Sequence, residues 1–511
     1  MKKVIMCAFV FFFFTGFMVP VFSCEDAPEE CTVFIAGKNT TIDGSILFIK
    51  TEDDSRNDID YFWRIPRKTH ALGEVVKLQA GGTIPQVKET YAYFWDECPG
   101  TSFSNGIVNE WGVAFGSNGC RSKEDPVAQV EARGDLVNGG IGFKFRMILA
   151  ERSKTAREAV FLAAELLDTY GYSASGRNLN IVGPNEAWQL QMVRGKQYVA
   201  RRVQDDEVAI IANTFSIRKV DMNDRENYIC SPKLIEYAIE RGWYDPATGE
   251  RFDFAQAYAP ARVHTSPSNT HRQWNLARLL NKNFPISWQE AENGVLPVSV
   301  KPDRKLSVKD VMAILRNHYE GTSLDESEGY AKSPHQTRST ICNYGTHRAT
   351  VVQQRHWLPV EIGMVTWRVL EPPCSSVFVP WYLGITRIPE IFHNAFENLY
   401  TTEKDVLEYH FKMPKSAWEV DMQSASGVFK TLCQYIDKDY GKTIVKVQRV
   451  WNAFEDAAFT LQPTIEETAL ELYSKDKALA KEYLTLYTYA QAMKSIEEAR
   501  RLTEEFRAAV K

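Results

Sequence analysis

The cysteine at position 31 is the residue that most limits which fold and which chemistry this chain can have. It lies just behind a segment with the features of a removable leader. It follows Ser23, the predicted end of that leader, by eight positions and opens the run Cys31-Thr32-Val33-Phe34-Ile35-Ala36. A cysteine that becomes the first residue of a chain carries both a thiol and a free α-amine. That amine has a pKa of about 7.7–8.0 and can accept a proton near neutral pH, whereas the thiol is a good nucleophile only as the thiolate. Cleavage before Cys31 would therefore give one residue both the nucleophile and its base.

The first 30 residues have the pattern of a secretion signal followed by a short propeptide. Two lysines precede an apolar run from Val4 to Phe22, and the residues at its end suit cleavage. We therefore predict a signal peptide over 1–23, a propeptide over 24–30 and a secreted, periplasmic or cell-surface protein. Two alternatives stay open: a retained membrane anchor, since the run approaches the roughly 20 residues that span a bilayer, and a lipoprotein signal ending at Cys24. No second apolar stretch is long enough to span a membrane.

The charge balance and the cysteine content argue against several classes of protein. With 60 Lys and Arg residues against 65 Asp and Glu residues and no basic cluster, nucleic-acid binding is not expected. The nine cysteines are widely spaced, without a CxxC pair or a Cys/His cluster of zinc-ligand spacing, so no metal and no cofactor is predicted. An exported chain can still form disulfides, and Cys98–Cys120 and Cys342–Cys374 are candidate pairs.

Hydrophobic periodicity predicts an α+β fold with one large domain. Apolar runs on both sides of Asp43-Gly44 predict a β-hairpin, and the pattern recurs between Gly106 and Gly119. We expect further strands at Leu179–Val182, Ala187–Val193, Ala209–Ile211 and within Thr340–Pro380, and helices at Lys144–Tyr170, Pro232–Arg241 and Ser307–His318. The main domain would span 31–463 with an irregular loop insertion over about 244–304, and a helical segment, 464–511, would pack on it.

Several blocks of the sequence resemble the C69 family of cysteine dipeptidases, and they occur in the order of that family. The first block is Cys31–Ser45, followed by Glu52-Asp53. The later blocks are Asn213–Arg218, Leu358–Gly363, Trp367, Ser376–Gly384 and the stretch around Tyr489-Ala490-Gln491. The resemblance covers nearly the whole chain after residue 30 and implies an N-terminal-nucleophile hydrolase with an αββα sandwich. It also implies a short peptide as substrate, a thioester intermediate and no cofactor, and it is compatible with a homo-oligomer.

The resemblance implies roles for Cys31 and for two residues on the next strand. Cys31 would attack the scissile carbonyl; the alternative is a small buried apolar residue or a disulfide partner. Asp53 matches an acidic residue that orients the amine of the nucleophile and raises its proton affinity, although a solvated turn carboxylate would have the same sequence context. Lys50 departs from the family, which usually has Arg-Asn-Glu-Asp where this chain has Lys50-Thr51-Glu52-Asp53. A lysine still favours the thiolate but lacks the bidentate geometry of arginine.

Two asparagines and three basic residues complete the candidates. Asn118 and Asn213 resemble the family's amide donors to an oxyanion hole, whereas asparagines at such positions also serve as ordinary turn residues. Arg338 and Arg348 are candidates for binding a substrate carboxylate, and His347 for a Cys–His dyad.

Two other functions stay open at this point. An amidase of the penicillin-acylase or bile-salt-hydrolase type would share the nucleophile and differ only in its pocket. A binding or structural protein on the same scaffold would have lost the activity, and the lysine at position 50 is the feature that keeps this alternative open.

Overall fold

Two large antiparallel sheets lie at the centre of the chain, and helices cover the outer face of each. The computed structural model describes residues 31–53, 59–124, 126–335, 339–393, 406–412 and 423–509. The predicted signal peptide 1–23, the predicted propeptide 24–30 and Arg338 lie outside these ranges. Across the described ranges, none of the helices combines the length and the apolar character needed to cross a membrane.

The strands and helices are numbered in chain order. The strands are β1 (Val33–Ala36), β2 (Ile46–Asp53), β3 (Tyr61–Ile65), β4 (Lys68–Thr69), β5 (Val75–Lys77), β6 (Thr83–Pro85), β7 (Glu89–Thr90), β8 (Tyr93–Glu97), β9 (Ile107–Asn109), β10 (Ala114–Gly119), β11 (Arg177–Val182), β12 (Ala187–Met192), β13 (Tyr198–Val203), β14 (Val208–Ile211), β15 (Tyr228–Cys230), β16 (Ser299–Val300), β17 (Thr346–Gln354), β18 (Met364–Leu370) and β19 (Val379–Tyr382). The helices are α1 (Val127–Ala132), α2 (Phe145–Arg152), α3 (Ala156–Tyr170), α4 (Leu234–Glu240), α5 (Phe254–Tyr258), α6 (Ala261–His264), α7 (Pro267–Leu280), α8 (Trp288–Ala291), α9 (Val308–Leu315), α10 (Val360–Gly363), α11 (Val406–Lys412), α12 (Ala425–Lys438), α13 (Tyr440–Lys475) and α14 (Lys477–Ala509).

Both predicted hairpins are present, and the first lies in the middle of a sheet. The first sheet has the order β16-β14-β1-β2-β17-β18-β19, and the second has the order β15-β13-β12-β11-β10-β9-β8-β3. Strands β1 and β2 pair with Val33 opposite Lys50. Their connection contains Gly44 at a φ of +81°, a conformation that favours glycine, and the Asp43 carboxylate accepts a hydrogen bond from the Ser45 amide at 3.0 Å. This hairpin brings the start of β1 next to the end of β2.

Three apolar cores give the molecule four layers. Between the sheets, Ile35 and Phe48 of the first sheet pack with Ala114 and Val182 of the second. On the outer face of the first sheet, residues such as Phe34 and Ile49 pack against α7, α9 and the C-terminal helices. On the outer face of the second sheet, three buried tryptophans pack against α2 and α3, namely Trp63, Trp95 and Trp188. The αββα arrangement is therefore confirmed. It explains why both faces of β1 and β2 are buried.

Several helices differ from the predictions in their bounds. The run predicted as one helix over Lys144–Tyr170 is divided into α2 and α3, because Thr155 caps a new helix by accepting a hydrogen bond from the Glu158 amide at 3.1 Å. Helix α9 ends at Leu315, three residues before the predicted end. Helix α13 passes through Pro463, so the C-terminal helical layer begins with α12, well before residue 464.

The segment predicted as an irregular insertion over 244–304 contains helices. Four of them fall in this range, α5 to α8, and α7 alone has 14 residues. Helix α7 contacts β14 and β16, and its residue Leu276 belongs to the core on the outer face of the first sheet. The segment is therefore an integral part of the helical layer.

Candidate active site

Side chains from three separate elements hold the backbone of Cys31 at the start of β1. The Thr32 amide donates a hydrogen bond to Thr51 Oγ1 at 2.9 Å. The Cys31 carbonyl accepts two hydrogen bonds, one from Asn118 Nδ2 and one from Arg272 Nη1, both at 2.9 Å. These contacts come from β2, β10 and α7, so the position of Cys31 is set by both sheets and by one outer helix.

The Cys31 thiol is buried and lies in a group of charged residues. The residue is 4% exposed, and Sγ donates a hydrogen bond to Glu52 Oε1 at 3.5 Å. Burial raises the pKa of the thiol well above its usual value, and the positive charge of Lys50 only partly opposes this. The thiol is therefore protonated at neutral pH in the full-length chain and needs a base before it can react.

Lys50 and Glu52 form a buried ion pair beside the thiol. Lys50 Nζ contacts Glu52 Oε2 and donates a hydrogen bond to the Thr51 carbonyl at 3.1 Å. Arg348 Nη2 binds the same Glu52 oxygen at 3.0 Å. Burial alone would raise the pKa of Glu52, but Lys50 and Arg348 outweigh it and lower that pKa to about 2. Glu52 is a site residue that the sequence analysis did not single out, although it adjoins Asp53.

Asp53 is buried at the end of β2 and is bound by two hydroxyl groups. Thr51 Oγ1 donates to Asp53 Oδ2 at 2.7 Å, and Thr346 Oγ1 donates to Asp53 Oδ1 at 2.6 Å. Burial raises the pKa of Asp53 to about 7, although both hydroxyl groups and the charge of Arg272 oppose the rise. Asp53 is therefore not a solvated turn residue, and a positive charge close to it would lower its pKa.

The two predicted asparagines have different environments. One amide hydrogen of Asn118 is used on the Cys31 carbonyl, so this side chain positions the cysteine. Asn213 follows β14, and its Oδ1 accepts a hydrogen bond from Arg272 Nη2 at 2.9 Å. Asn213 Nδ2 is buried and has no hydrogen-bond partner among the described residues. This fixed and unused donor is what stabilisation of a developing oxyanion requires.

Arg272 on α7, which was not predicted from the sequence, connects the cysteine with Asn213. It is completely buried. Besides the Cys31 carbonyl, its guanidinium binds Thr32 Oγ1 at 3.1 Å and Asn269 Oδ1 at 3.2 Å. The sequence offered no signal for this residue, because α7 lies in the segment predicted to be irregular. All five predicted site residues, Cys31, Lys50, Asp53, Asn118 and Asn213, are buried and belong to one group linked by hydrogen bonds or charges.

Of the other basic candidates, Arg348 and His347 are bound to carboxylates, and Arg338 lies outside the described residues. The Arg348 guanidinium is enclosed by Glu52, Asp60 at 3.3 Å and Asp96 at 2.6 Å, so it is already neutralised and does not bind a substrate carboxylate. His347 Nδ1 pairs with Asp60, whereas the Cys31 thiol donates its hydrogen bond to Glu52; the Cys–His dyad stays a prediction.

Another arginine, Arg146 on α2, is buried, and its terminal guanidinium nitrogens bind no carboxylate among the described residues. It is 4% exposed, and its Nη1 and Nη2 have no hydrogen-bond partner among the described residues. Its guanidinium lies 5.4 Å from the centre of the Phe103 ring, and that of Arg177 lies 4.6 Å from the same ring. Burial and Arg177 lower the pKa of Arg146 to about 9, while the negative charge of Glu52 opposes this. Arg146 is therefore a buried cation that interacts electrostatically with Glu52 and has donors free to bind an anion.

The sequence has no Cys/His pattern of zinc-ligand spacing, but the fold brings such residues together. Two histidines and two cysteines that are far apart in sequence come together, with their ligand atoms within 4.8 Å of one another, namely His318, His335, Cys342 and Cys374. No disulfide joins the cysteines of the described residues, so neither Cys98–Cys120 nor Cys342–Cys374 is a disulfide in this structure.

Comparison with known proteins identifies the relatives of this chain. A probable dipeptidase B of Streptococcus pyogenes serotype M1 is 26% identical over 391 residues, which cover 73% of this chain and 76% of the relative. A probable dipeptidase of Salmonella dublin is 28% identical over 359 residues, covering 70% and 81%, respectively. A probable dipeptidase of Latilactobacillus sakei is 28% identical over 438 residues, covering 85% and 89%. Among solved structures, penicillin V acylase from Agrobacterium tumefaciens aligns at 12% identity with a TM-score of 0.34, over 69% of this chain and 86% of that chain.

The family comparison covers the whole candidate site. The sequence model of peptidase family C69 matches residues 30–412. This range contains Cys31 and every residue described around it, from Lys50 to Arg348. The chain therefore belongs to peptidase family C69.

Proposed function

We propose that this protein is a secreted cysteine dipeptidase whose mature chain begins at Cys31. The observation that carries the proposal is the burial of the Cys31 thiol beside Glu52 and Lys50, with the Cys31 carbonyl fixed by Asn118 and Arg272. Packing alone does not require several hydrogen bonds to one small residue. A nucleophile, in contrast, has to be held in a defined orientation toward its substrate. Membership of a peptidase family, together with relatives named as probable dipeptidases, supports a peptide substrate.

In the proposed reaction the free amine of Cys31 accepts the thiol proton. The thiolate then attacks the scissile carbonyl and forms the S–C bond of a tetrahedral intermediate, whose oxyanion is bound by Asn213 Nδ2. Breakage of the C–N bond leaves a thioester, and the leaving amine takes the proton from the ammonium group of Cys31. Water, deprotonated by the same amine, hydrolyses the thioester and restores the thiol.

The environment of Asp53 supports a role beside that amine. In the full-length chain the pKa of Asp53 is raised to about 7 by burial. An adjacent ammonium group lowers such a pKa by Coulomb attraction, and the carboxylate in turn raises the proton affinity of the amine. Removal of the propeptide would thus convert a costly buried acid into the partner of a cation.

Arg146 supports a substrate with a free carboxylate. A buried guanidinium without a partner is unfavourable, and a carboxylate can accept two parallel hydrogen bonds from it. A dipeptide has its carboxylate only one residue beyond the scissile bond, so a cation close to Cys31 can reach it. N-acyl amino acids carry a carboxylate at the same position, so Arg146 supports a carboxylate on the substrate but does not separate these compounds from dipeptides.

The identity of the mature N-terminus and a matched substrate panel test the proposal. We expect Edman sequencing of the secreted protein to begin at Cys31, and dipeptides to be hydrolysed faster than N-acyl amino acids or penicillin V. A mature chain that begins at Cys24 would contradict the role of the amine. Faster hydrolysis of the N-acyl compounds would favour an amidase, and no hydrolysis of either class would favour a binding protein.

Substitution of Arg146 tests whether this residue binds the carboxylate of the substrate. For Arg146→Met we expect kcat/KM to fall about 10- to 100-fold on a dipeptide, as for the loss of a charge-assisted hydrogen bond, but to change little on the same dipeptide with an amidated C-terminus. Arg157→Met is a matched control, because Arg157 is on the neighbouring α3 and pairs with Glu186 at 2.8 Å. Equal losses on the acid and the amide would show that Arg146 only supports the fold.

A further inference from the structure

The four residues His318, His335, Cys342 and Cys374, here called the Cys2His2 cluster, form a closed group in the interior. All four are buried. His318 follows α9, His335 lies in the following loop, Cys342 precedes β17 and Cys374 follows β18. No short sequence motif links them, so only the fold brings them together.

The spacing of the ligand atoms is close to that of a tetrahedral metal site. His335 Nε2 lies 3.0 Å from Cys374 Sγ and 3.8 Å from Cys342 Sγ. Zinc bonds of about 2.1 Å to nitrogen and about 2.3 Å to sulfur place neighbouring ligand atoms roughly 3.3–3.8 Å apart. The cluster therefore needs only small side-chain movements to bind an ion at its centre.

The histidines are oriented as metal ligands are in proteins. His318 Nδ1 contacts Glu320 Oε1 at 3.0 Å, and His335 Nδ1 contacts Asp437 Oδ1 at 2.9 Å. A carboxylate that accepts the Nδ1 proton leaves the lone pair of Nε2 free for a metal. His318 Nε2 is buried and makes no hydrogen bond of normal geometry to a described residue, although Cys374 interacts with His318. A bound cation would give this atom a full partner.

We propose that the Cys2His2 cluster binds one structural Zn²⁺ ion. Two thiolates and two neutral imidazoles are a typical set of ligands for zinc, and a site with four protein ligands leaves no open position for catalysis. Asp437 belongs to α12, and the Tyr440 hydroxyl of α13 donates a hydrogen bond to Cys374 Sγ at 3.4 Å. The ion would therefore join the loops before β17 and after β18 to the C-terminal helices.

The position of the cluster gives the ion an indirect connection to the candidate active site. Cys342 lies four residues before Thr346, the hydroxyl donor to Asp53. A zinc ion would hold the segment that leads into β17 and so keep this donor in place. Its role would be to stabilise the fold and not to take part in hydrolysis.

Metal analysis of the secreted protein tests the proposal. After dialysis against metal-free buffer, we expect inductively coupled plasma mass spectrometry to find about one zinc ion per chain, as for a tightly bound structural ion. Cys374→Ser should reduce this at least about 10-fold, whereas Cys433→Ser, which removes a buried thiol outside the cluster, should retain it. Equal zinc content in the two variants would overturn the proposal.

A second measurement does not depend on the folding of the variants. Wild-type protein stripped with a chelator should bind one equivalent of Co²⁺ and develop the intense visible bands of tetrahedral cobalt with thiolate charge transfer. Competing zinc should then abolish the bands. A Cys342–Cys374 disulfide in the non-reduced peptide map, or no cobalt binding by the reduced protein, would overturn the proposal.

Discussion

Replacing Cys31 with alanine is expected to reduce dipeptide hydrolysis by about 10⁴-fold or more, to the limit of detection, because no other group can form the thioester. The loss should appear in kcat, with the melting temperature nearly unchanged. The Cys31 side chain is small, and the contacts that fix its backbone come from Asn118 and Arg272. Steady-state kinetics on the same panel of dipeptides and N-acyl compounds measures the change in kcat, and a thermal melt measures the change in melting temperature.

A second thiol provides the control for this experiment. Cys230→Ala removes a half-buried cysteine on β15 and should keep full activity. The mass of the secreted Cys31→Ala protein also reports on processing: retention of residues 24–30 would indicate that the nucleophile itself removes the propeptide. Substantial activity of Cys31→Ala would rule out the proposed reaction.

Replacing Arg348 with methionine is expected to lower the free energy of unfolding by about 3–5 kcal/mol at pH 7, the usual effect of removing one partner of a buried ion pair. Arg348 neutralises Glu52, Asp60 and Asp96, and the substitution leaves three carboxylates with less compensation. Arg387→Met is the matched control. Its partner Glu482 is exposed, and such surface pairs contribute about 1 kcal/mol or less.

The destabilisation by Arg348→Met should depend on pH in a defined direction. Burial acts to raise the pKa of Glu52 and of Asp60, but Lys50 and Arg348 lower the first to about 2, and Arg348 and His347 lower the second below its usual range. In the wild type this contribution is present above the unfolded pKa near 4 and is lost as the pH falls toward the folded values. Arg348→Met lacks much of this contribution to stability. The free energies of unfolding of the two proteins should therefore differ most at neutral pH and less below about pH 4. Denaturant unfolding of both proteins at neutral pH and below about pH 4 measures this difference in the free energy of unfolding. A difference that grows toward low pH would contradict the role of Arg348 in neutralising these carboxylates.

Cys31 could be predicted from its place behind the leader, and Lys50 and Asp53 from the resemblance of the first block to the C69 family. The three residues lie on β1 and β2 or at their ends. The pairing of these adjacent strands follows from two apolar runs and the turn at Asp43-Gly44 between them.

The parts that depend on long-range packing could not be predicted. Helix α7 buries polar residues such as Asn269 and Thr270 as well as apolar ones, so it lacks the single apolar stripe that indicates a helix, and Arg272 was missed with it. The Cys2His2 cluster was missed for a similar reason, because its members come from separate loops. The predicted Arg348 role failed because the three carboxylates that enclose its side chain lie on or near other strands.

The C-terminal helices have a consequence for where this protein begins and ends as a folding unit. The family match stops at residue 412, yet α13 places Phe459 against Trp367 of β18, with ring centres 4.3 Å apart, and α14 contacts β19 at the edge of the first sheet. A recombinant chain cut at the end of the family match would expose this apolar face and an unprotected edge strand, both of which promote aggregation. The folded unit thus extends beyond the family match, and we expect a soluble fragment to need the C-terminal helices up to residue 509.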